Sequence, residues 1–331
     1  MRFVRFLFGL VLTPMAALAF LWALAAIWID GPESRALAGG FAVAFSTAAF
    51  VVFFVVRPWL RALGAFSVLF AVVLGWWLTL TPSNDRDWEP SVARTPRAVL
   101  DGDRLTIENV RNFEYRTETD FDEVWETRTY DLSKLTGVGI YLSYWSSPLI
   151  AHTIMSWTFE DGPPLAVSIE TRKEMGEEYS AVLGFFRQFE LYYVVADERD
   201  VVRVRTNYRG EDVYLYPLNA EVETARALLL DYVSTINALA EQPEWYNAAT
   251  HNCTTTIRHH IDAIGASGPW DYRFLVNGQL DELAYEKAAV DTRLPFAELR
   301  RRSNIVEPAN RADDDPEFSK RIRDGLPSGP S

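Results

Sequence analysis

Cysteine is nearly absent from this 331-residue chain: Cys253 is the only one. No disulfide can form within the chain, and a single thiol with no partner calls for a reason of its own. Histidine is scarce too, so an imidazole base has to come from His152, His251, His259 or His260. Basic charge is in deficit, with a formal net charge of −13. Nucleic acid, whose phosphates require a cationic surface, is a poor partner for such a chain. Internal repeats and long low-complexity blocks are missing as well, so nothing marks a second globular domain.

What the sequence does have is apolar length, concentrated at its front. Phe6 to Ile29, Ala36 to Val56 and Ala62 to Leu80 are nearly uncharged runs. Each is close to the roughly 20 residues a helix needs to cross a bilayer core. Residues 1–81 therefore read as a membrane domain of three transmembrane helices. Arg2 and Arg5 precede the first run and Arg57 and Arg61 separate the second from the third, while the opposite loop carries Asp30, Glu33 and only Arg35. Cationic flanks stay on the cytoplasmic side. The N-terminus then reads as inside, and everything after Leu80 as outside, in the periplasm of a Gram-negative cell with the spans in its inner membrane. An alternative takes the first run as a cleaved signal peptide, on the basic start Met1 to Phe6 and the Ala23-Leu24-Ala25 site. Residue 82 onward reaches the outside either way.

Beyond the spans, the 27 basic and 43 acidic residues give a net charge of −16. Residues 82–100 read as a polar linker, 101–325 as one α+β domain and 326–331 as a frayed tail. Leu105 to Asn109, Phe113 to Arg116 and Trp125 to Asp131 have the mixed composition of half-buried strands. Ile140 to Trp145, His152 to Phe159 and Leu165 to Thr171 continue an antiparallel sheet, the last two joined by the turn at Asp161 and Gly162. Reflection about that turn puts the partner of His152 near position 171, within one residue of Glu170. A carboxylate beside an imidazole orients the ring and favours its charged form. Ser168 and Thr171 are the fallback orienters. Phe185 to Val195, Val201 to Thr206 and Val213 to Tyr216 read as further strands. Helical spacing of Val222, Ala225, Leu228, Leu229, Tyr232, Val233 and Ile236 predicts an amphipathic helix over Asn219 to Glu241. Leu280 to Lys287, Phe296 to Arg302 and Phe318 to Ile322 look helical.

The chemistry points to Trp245 to Gly265. Polar, turn-prone residues lead up to Cys253, then Ile257, Ile261 and Ile264 recur at helical spacing and Gly265 stands at the C-terminal glycine position. Cys253 thus starts a helix, where the macrodipole and free N–H groups lower a thiol pKa and can hold an oxyanion. His259 and His260 lie about two turns further, on the order of 9 to 10 Å of rise away. They read as helix-surface groups or a charge near the helix end. His251 can line the site. His152, far away in sequence on a strand, is the candidate base. No metal is called for, because one Cys with unspaced histidines does not make a four-ligand zinc site. No cofactor is implied.

Four segments carry a family resemblance: Tyr246-Asn247 through Asn252-Cys253-Thr254-Thr255, Ala151-His152-Thr153, Ser168 to Glu174, and Asp197 to Asp200. Together they resemble the Lnb N-terminal periplasmic domain family over roughly Asp101 to Gly325. The resemblance implies a periplasmic cysteine enzyme, linked in one branch to lipoprotein N-acylation, with Cys253 and His152 at the nucleophile and base positions. The order His, then Cys at a helix start, is also similar to circularly permuted papain-like (NlpC/P60-like) folds, which would give an antiparallel sheet with a Cys-bearing helix. Three spans ahead of the domain depart from the well-studied branch.

Three functions follow as expectations. The first is a membrane-tethered thiol acyltransferase or hydrolase acting on a lipid or lipoprotein acyl group. In it Cys253 attacks, His152 moves the proton, Glu170 orients the ring, and N–H groups at Cys253 and Thr254 hold the oxyanion with help from Asn252. Arg172 is placed to hold an anionic head group. The second is a cell-wall amidase or peptidase with the same chemistry, and the third a non-catalytic membrane sensor or scaffold. Apart from that role for Arg172, the charged runs Arg172-Lys173-Glu174 and Asp197 to Asp200 read as solvated turns or surface pairs.

Overall fold

The computed structural model describes residues 2–266 and 268–327, with side chains from residue 11 onward. Part of the expected tail, 328–331, lies outside the described residues. The chain divides into two compact units: Met1–Pro82 with Ser180–Phe189, and Ser83–Tyr179 with Glu190–Ser331.

In the first unit the three apolar runs form α1 (Arg2–Ile29), α2 (Arg35–Val55) and α3 (Trp59–Leu78). All three are long and apolar enough to span a membrane. They pack through small residues and stacked rings. Ala23, Ala38, Ala49 and Ala62 are buried, which lets helix backbones approach closely, and Phe20 stacks on Phe45 at 5.7 Å. The segment 180–189 belongs to this unit. Its Phe186 stacks on Trp22 at 6.4 Å and the Arg187 guanidinium lies 4.3 Å over the Trp77 ring. Asp30 joins them, accepting from Trp77 Nε1 at 2.6 Å and from the Arg187 N–H at 3.2 Å.

The second unit is α+β. Its strands are β1 (Arg97–Asp101), β2 (Arg104–Arg111), β3 (Glu114–Tyr115), β4 (Phe121–Asp122), β5 (Trp125–Asp131), β6 (Leu135–Tyr144), β7 (His152–Phe159), β8 (Leu165–Arg172), β9 (Glu190–Ala196) and β10 (Asp212–Pro217). The main sheet runs β1-β2-β9-β8-β7-β6-β10, with β5 also paired to β2. Pairing is antiparallel except for one parallel contact, Arg111 with Ala196. The helices are α4 (Glu198–Val201), α5 (Val222–Glu241), α6 (Cys253–Ala263), α7 (Leu280–Glu286), α8 (Phe296–Ser303), α9 (Val306–Arg311) and α10 (Phe318–Arg321).

One sheet face carries α5 and α6: Trp157 donates to Ala225 O at 2.9 Å, and Tyr193 bonds His260 at 2.7 Å. The alternate residues, such as Ile154, Ala166, Tyr192 and Val194, face the opposite way and pack with Ile305, Ala309 and Phe318.

Four sequence expectations need correction. Residues 83–100 are not a linker. They belong to the second unit, with Trp88 and Val92 buried and β1 paired to β2. Val201 to Thr206 is helical rather than a strand, because Asp197 caps the turn by accepting the Arg199 N–H at 2.8 Å. Phe185 to Val195 is also not one strand, since β9 begins only at Glu190. The charged run beside it is no solvated turn either, because Glu198 and Asp200 are fully buried. Arg111 binds Asp200 at 2.8 and 3.0 Å, and Arg323 binds Glu198 at 2.6 Å.

Candidate active site

The site forms where two strands part. The β7–β8 ladder ends at the Ile154–Ser168 pair, although β7 continues to His152, paired with Ser143, and β8 continues to Arg172, paired with Glu190. Extending the observed register puts Glu170 opposite His152 on the same face. The position opposite His152 is thus Glu170 itself and not 171. His152 points away from the α6 face, whereas its neighbour Thr153 touches Thr254 of α6 at 3.4 Å. Cys253 nonetheless hydrogen-bonds His152, and the Thr153 N–H donates to its sulfur.

Helix α6 starts at Cys253 for local reasons. Asn252 Oδ1 accepts the N–H groups of Thr254 and Thr255 at 2.9 Å each, and Thr255 Oγ1 accepts the Asn252 N–H at 3.0 Å. This reciprocal cap satisfies the groups a helix start leaves open. It also corrects two oxyanion assignments. The Asn252 side chain is committed to the cap, with its Nδ2 on Ala248 O at 2.8 Å, and the Thr254 N–H is already taken. The Cys253 N–H has no acceptor among the described residues.

On its far side the imidazole is held by a carboxylate network. His152 Nε2 lies 2.6 Å from Ser168 Oγ and 3.1 Å from Glu170 Oε1, and the Ser168 hydroxyl donates to Glu170 at 2.7 Å. Glu170 also accepts from Arg205 at 3.0 Å, and Arg205 in turn binds Glu211 at 3.0 Å. Ser143 donates to Glu211 as well. Arg205 is aimed here by a loosely wound turn, Val204–Tyr208, in which the Arg209 N–H bonds Val204 O five residues back. Such wide turns recur at functional sites. With Nε2 occupied, Nδ1 is the nitrogen left for the thiol.

The electrostatics follow from these contacts. Burial pulls the His152 pKa down and Arg205 adds to that, but Glu170 and the hydrogen bonds to Cys253 and Glu170 outweigh both and raise it to about 9. Burial pushes the Cys253 thiol up, yet the His152 hydrogen bond and charge, with Thr254 and the Thr153 N–H, bring it below its ordinary value. Burial also opposes ionisation of Glu170, but His152, Arg205 and Ser168 hold it well below the carboxylate range. The thiol and imidazole thus favour each other's charged forms.

Asn277 is a residue that sequence reasoning missed. Buried, it accepts the Ala151 N–H at 2.9 Å, returns a bond to Ala151 O at 2.6 Å, and also donates to Thr254 Oγ1. One amide thus fixes the backbone before His152 and the residue after Cys253, with its Nδ2 3.9 Å from the sulfur. Tyr246 and Tyr179, also missed, share a hydrogen bond, and both feel the charge of Cys253.

Of the other sequence candidates, Arg172 is not at the site. It is buried between the Trp88 and Tyr192 rings at 4.3 and 4.8 Å, and it donates to Val92 O, Ala93 O and Asn84 Oδ1. Its guanidinium fastens residues 84–93 to the sheet and is unavailable to a head group. His251 is half-buried, bonds Thr250 Oγ1 at 2.9 Å and meets the His259 ring edge-on at 5.8 Å. His260 is buried rather than on the helix surface. It lies between Asp231 at 2.6 Å and Tyr193 at 2.7 Å and stacks on Tyr232, and burial holds its pKa down.

Residues 121–278, just under half of the chain, match the family model of the Lnb N-terminal periplasmic domain. The matched stretch contains His152, Glu170, Cys253 and Asn277. Neither a curated protein nor a solved structure matches the chain.

Proposed function

We propose that this chain is a thiol acyltransferase or hydrolase of the bacterial inner membrane, with its N-terminus cytoplasmic and its thiol domain periplasmic. Its substrate is a lipid or lipoprotein acyl group. The observation that carries the proposal is the Cys253–His152 pair, in which the thiol pKa is lowered and the imidazole pKa raised to about 9. Three apolar spans in the same chain support an acyl donor drawn from the membrane, because tethering raises the effective concentration of such a substrate without new contacts.

In this reading the Cys253 thiolate adds to the carbonyl carbon of an ester. The negative charge that develops on oxygen is met by the Cys253 N–H at the positive end of α6. As the tetrahedral adduct collapses, the C–O bond breaks and the imidazolium gives its Nδ1 proton to the departing alkoxide, leaving an acyl thioester and a neutral imidazole. An amine or water then attacks the thioester while His152 takes its proton. The thiolate leaves and the pair is restored. Glu170, Ser168 and Arg205 hold the ring throughout.

The test is the alkylation rate of Cys253 by a small neutral thiol reagent against pH, in the native chain and in His152→Ala. The native chain is expected to react with an apparent pKa below the free-thiol value of about 8.5. His152→Ala should lose at least tenfold in rate at pH 7. Slow labelling that ignores His152 would overturn the proposal. Turnover should also fall as pH rises through about 9, where the proton donor is lost, whereas alkylation, which needs only the thiolate, should not.

A further inference from the structure

The two loops that frame the site present an apolar surface. One joins β6 to β7 and shows Trp145, Leu149 and Ile150; the other precedes Asn277 and shows Trp270, Leu275 and Val276. All six are between 41 and 65 % exposed. The loops are locked together rather than loose. The Gly278 N–H bonds Leu149 O at 2.9 Å, Asn277 holds both backbone groups of Ala151, and Tyr144 donates to Gly278 O at 2.9 Å. A side chain at Gly278 would collide with the Pro148 and Leu149 backbone, so only glycine allows this approach. Residues 145–151 and 274–278 hold no charged residue, and the two charges between Trp270 and Leu275, Asp271 and Arg273, are paired with each other at 3.0 Å, in a region whose net charge is −16 after the spans.

We infer that this rim inserts into the outer leaflet of the bilayer, with lipid as its occupant. Chain connectivity selects lipid over other apolar partners. Only residues 79–82 separate the end of α3 from the second unit, a reach of at most about 14 Å. The chain also passes between the units twice more, at 179–180 and 189–190, so the domain cannot leave the membrane surface. Tryptophan beside aliphatic side chains, with the neighbouring charges paired, is the composition that settles at a membrane interface. The inference goes beyond the thiol chemistry and does not need it.

The test uses the full chain in lipid nanodiscs, with Cys253→Ser removing the native thiol. A single environment-sensitive fluorophore is placed at Leu149→Cys or Val276→Cys, or at Val99→Cys in β1 as a control that is more exposed in the protein than either. Nitroxides on the lipid chains are expected to quench the labels at 149 and 276 at least twofold, and aqueous iodide to quench them little. The control should show the reverse. Adding Leu149→Asp and Ile150→Asp to the 276-labelled chain should remove at least half of its lipid quenching. Equal lipid quenching at all three sites would overturn the inference. So would a label shielded from iodide, untouched by lipid nitroxides and dependent on protein concentration, which would assign the rim to a second copy of the chain. With Cys253 absent, neither result bears on the thiol mechanism.

Discussion

Two carboxylates on the same face of the sheet, Glu198 and Glu170, are held by similar partners and behave differently. Glu198 is fully buried and accepts from Tyr141, Ser156 and both terminal nitrogens of Arg323, all within 2.7 Å. Glu170 is half-buried and accepts from Arg205 and Ser168, but its third partner is the imidazole of His152. The first network is closed, because none of its members changes charge near neutral pH. The second ends in a group that titrates at about 9 beside a thiol. The same guanidinium–carboxylate chemistry therefore fixes the fold in one place and leaves a proton free to move in the other.

The comparison breaks most severely at the closed end. Glu198→Ala would take the carboxylate from the half-buried Arg323 guanidinium, leaving it the Ser319 carbonyl, and empty a fully buried carboxylate site, and it is expected to cost about 3 kcal/mol. Urea unfolding of the detergent-solubilised chain reads that loss, and Cys253 alkylation in the folded fraction should stay unchanged. At the open end the order reverses. Arg205 keeps Glu211, so Glu170→Gln should cost less stability than Glu198→Ala, but it should let the His152 pKa fall toward its ordinary value, cutting turnover at pH 8 by about tenfold. An unmoved pH profile in Glu170→Gln would mean that the carboxylate does not tune the imidazole.

The sign of the pH dependence follows from the same shifts. Because His152 is raised in the folded chain, its contribution to stability is complete below about 6.5 and fades as pH rises through about 9. Glu170 is lowered, so its contribution is complete above the ordinary 4.5 and is lost as pH falls below it. A third carboxylate sharpens the contrast with the smallest effect. Glu190 is buried with one oxygen unpartnered, and burial raises it to about 7 despite the Ser83 N–H and Arg86. Its ionisation costs stability as pH rises from the ordinary 4.5 toward that value. Glu190→Gln is therefore expected to be more stable than the native chain at pH 8, on the order of 1 kcal/mol, and to approach it only below the ordinary 4.5, at about pH 4. A gain of the same size at both values would show that the carboxylate is neutral throughout.

Local signals carried much of the fold. The three apolar runs, the β7–β8 hairpin, α5 and the helix opening at Cys253 all announce themselves through periodicity, turn residues or caps within a window of a few residues. Cys253, His152 and Glu170 were legible together because one thiol, a helix start and one hairpin brought them into a single argument. Arg205 and Asn277 were not. Arg205 meets Glu170 across 35 residues and Asn277 meets Ala151 across 126, and nothing local distinguishes either from an ordinary polar residue. The same distance hid the burial of Glu198, whose partner Arg323 is 125 residues away. Charged runs read as surface unless their remote partners are known. Residues 83–100 failed for a related reason, since Trp88 and Val92 are buried by strands that come much later in the chain.

The segment 180–189 has a consequence for how the protein is made and handled. It is synthesised after β8 yet packs with α1 and α3 through Phe186 and Arg187. The first unit is therefore incomplete until residue 189 has left the ribosome, long after its helices have entered the bilayer. Cutting the chain at residue 83 to obtain a soluble domain would strip Phe186 and Arg187 of Trp22, Trp77 and Asp30. The excised piece would carry an orphaned ten-residue loop between β8 and β9, beside the strand that holds Glu170, and that loop is a ready site for proteolysis and self-association.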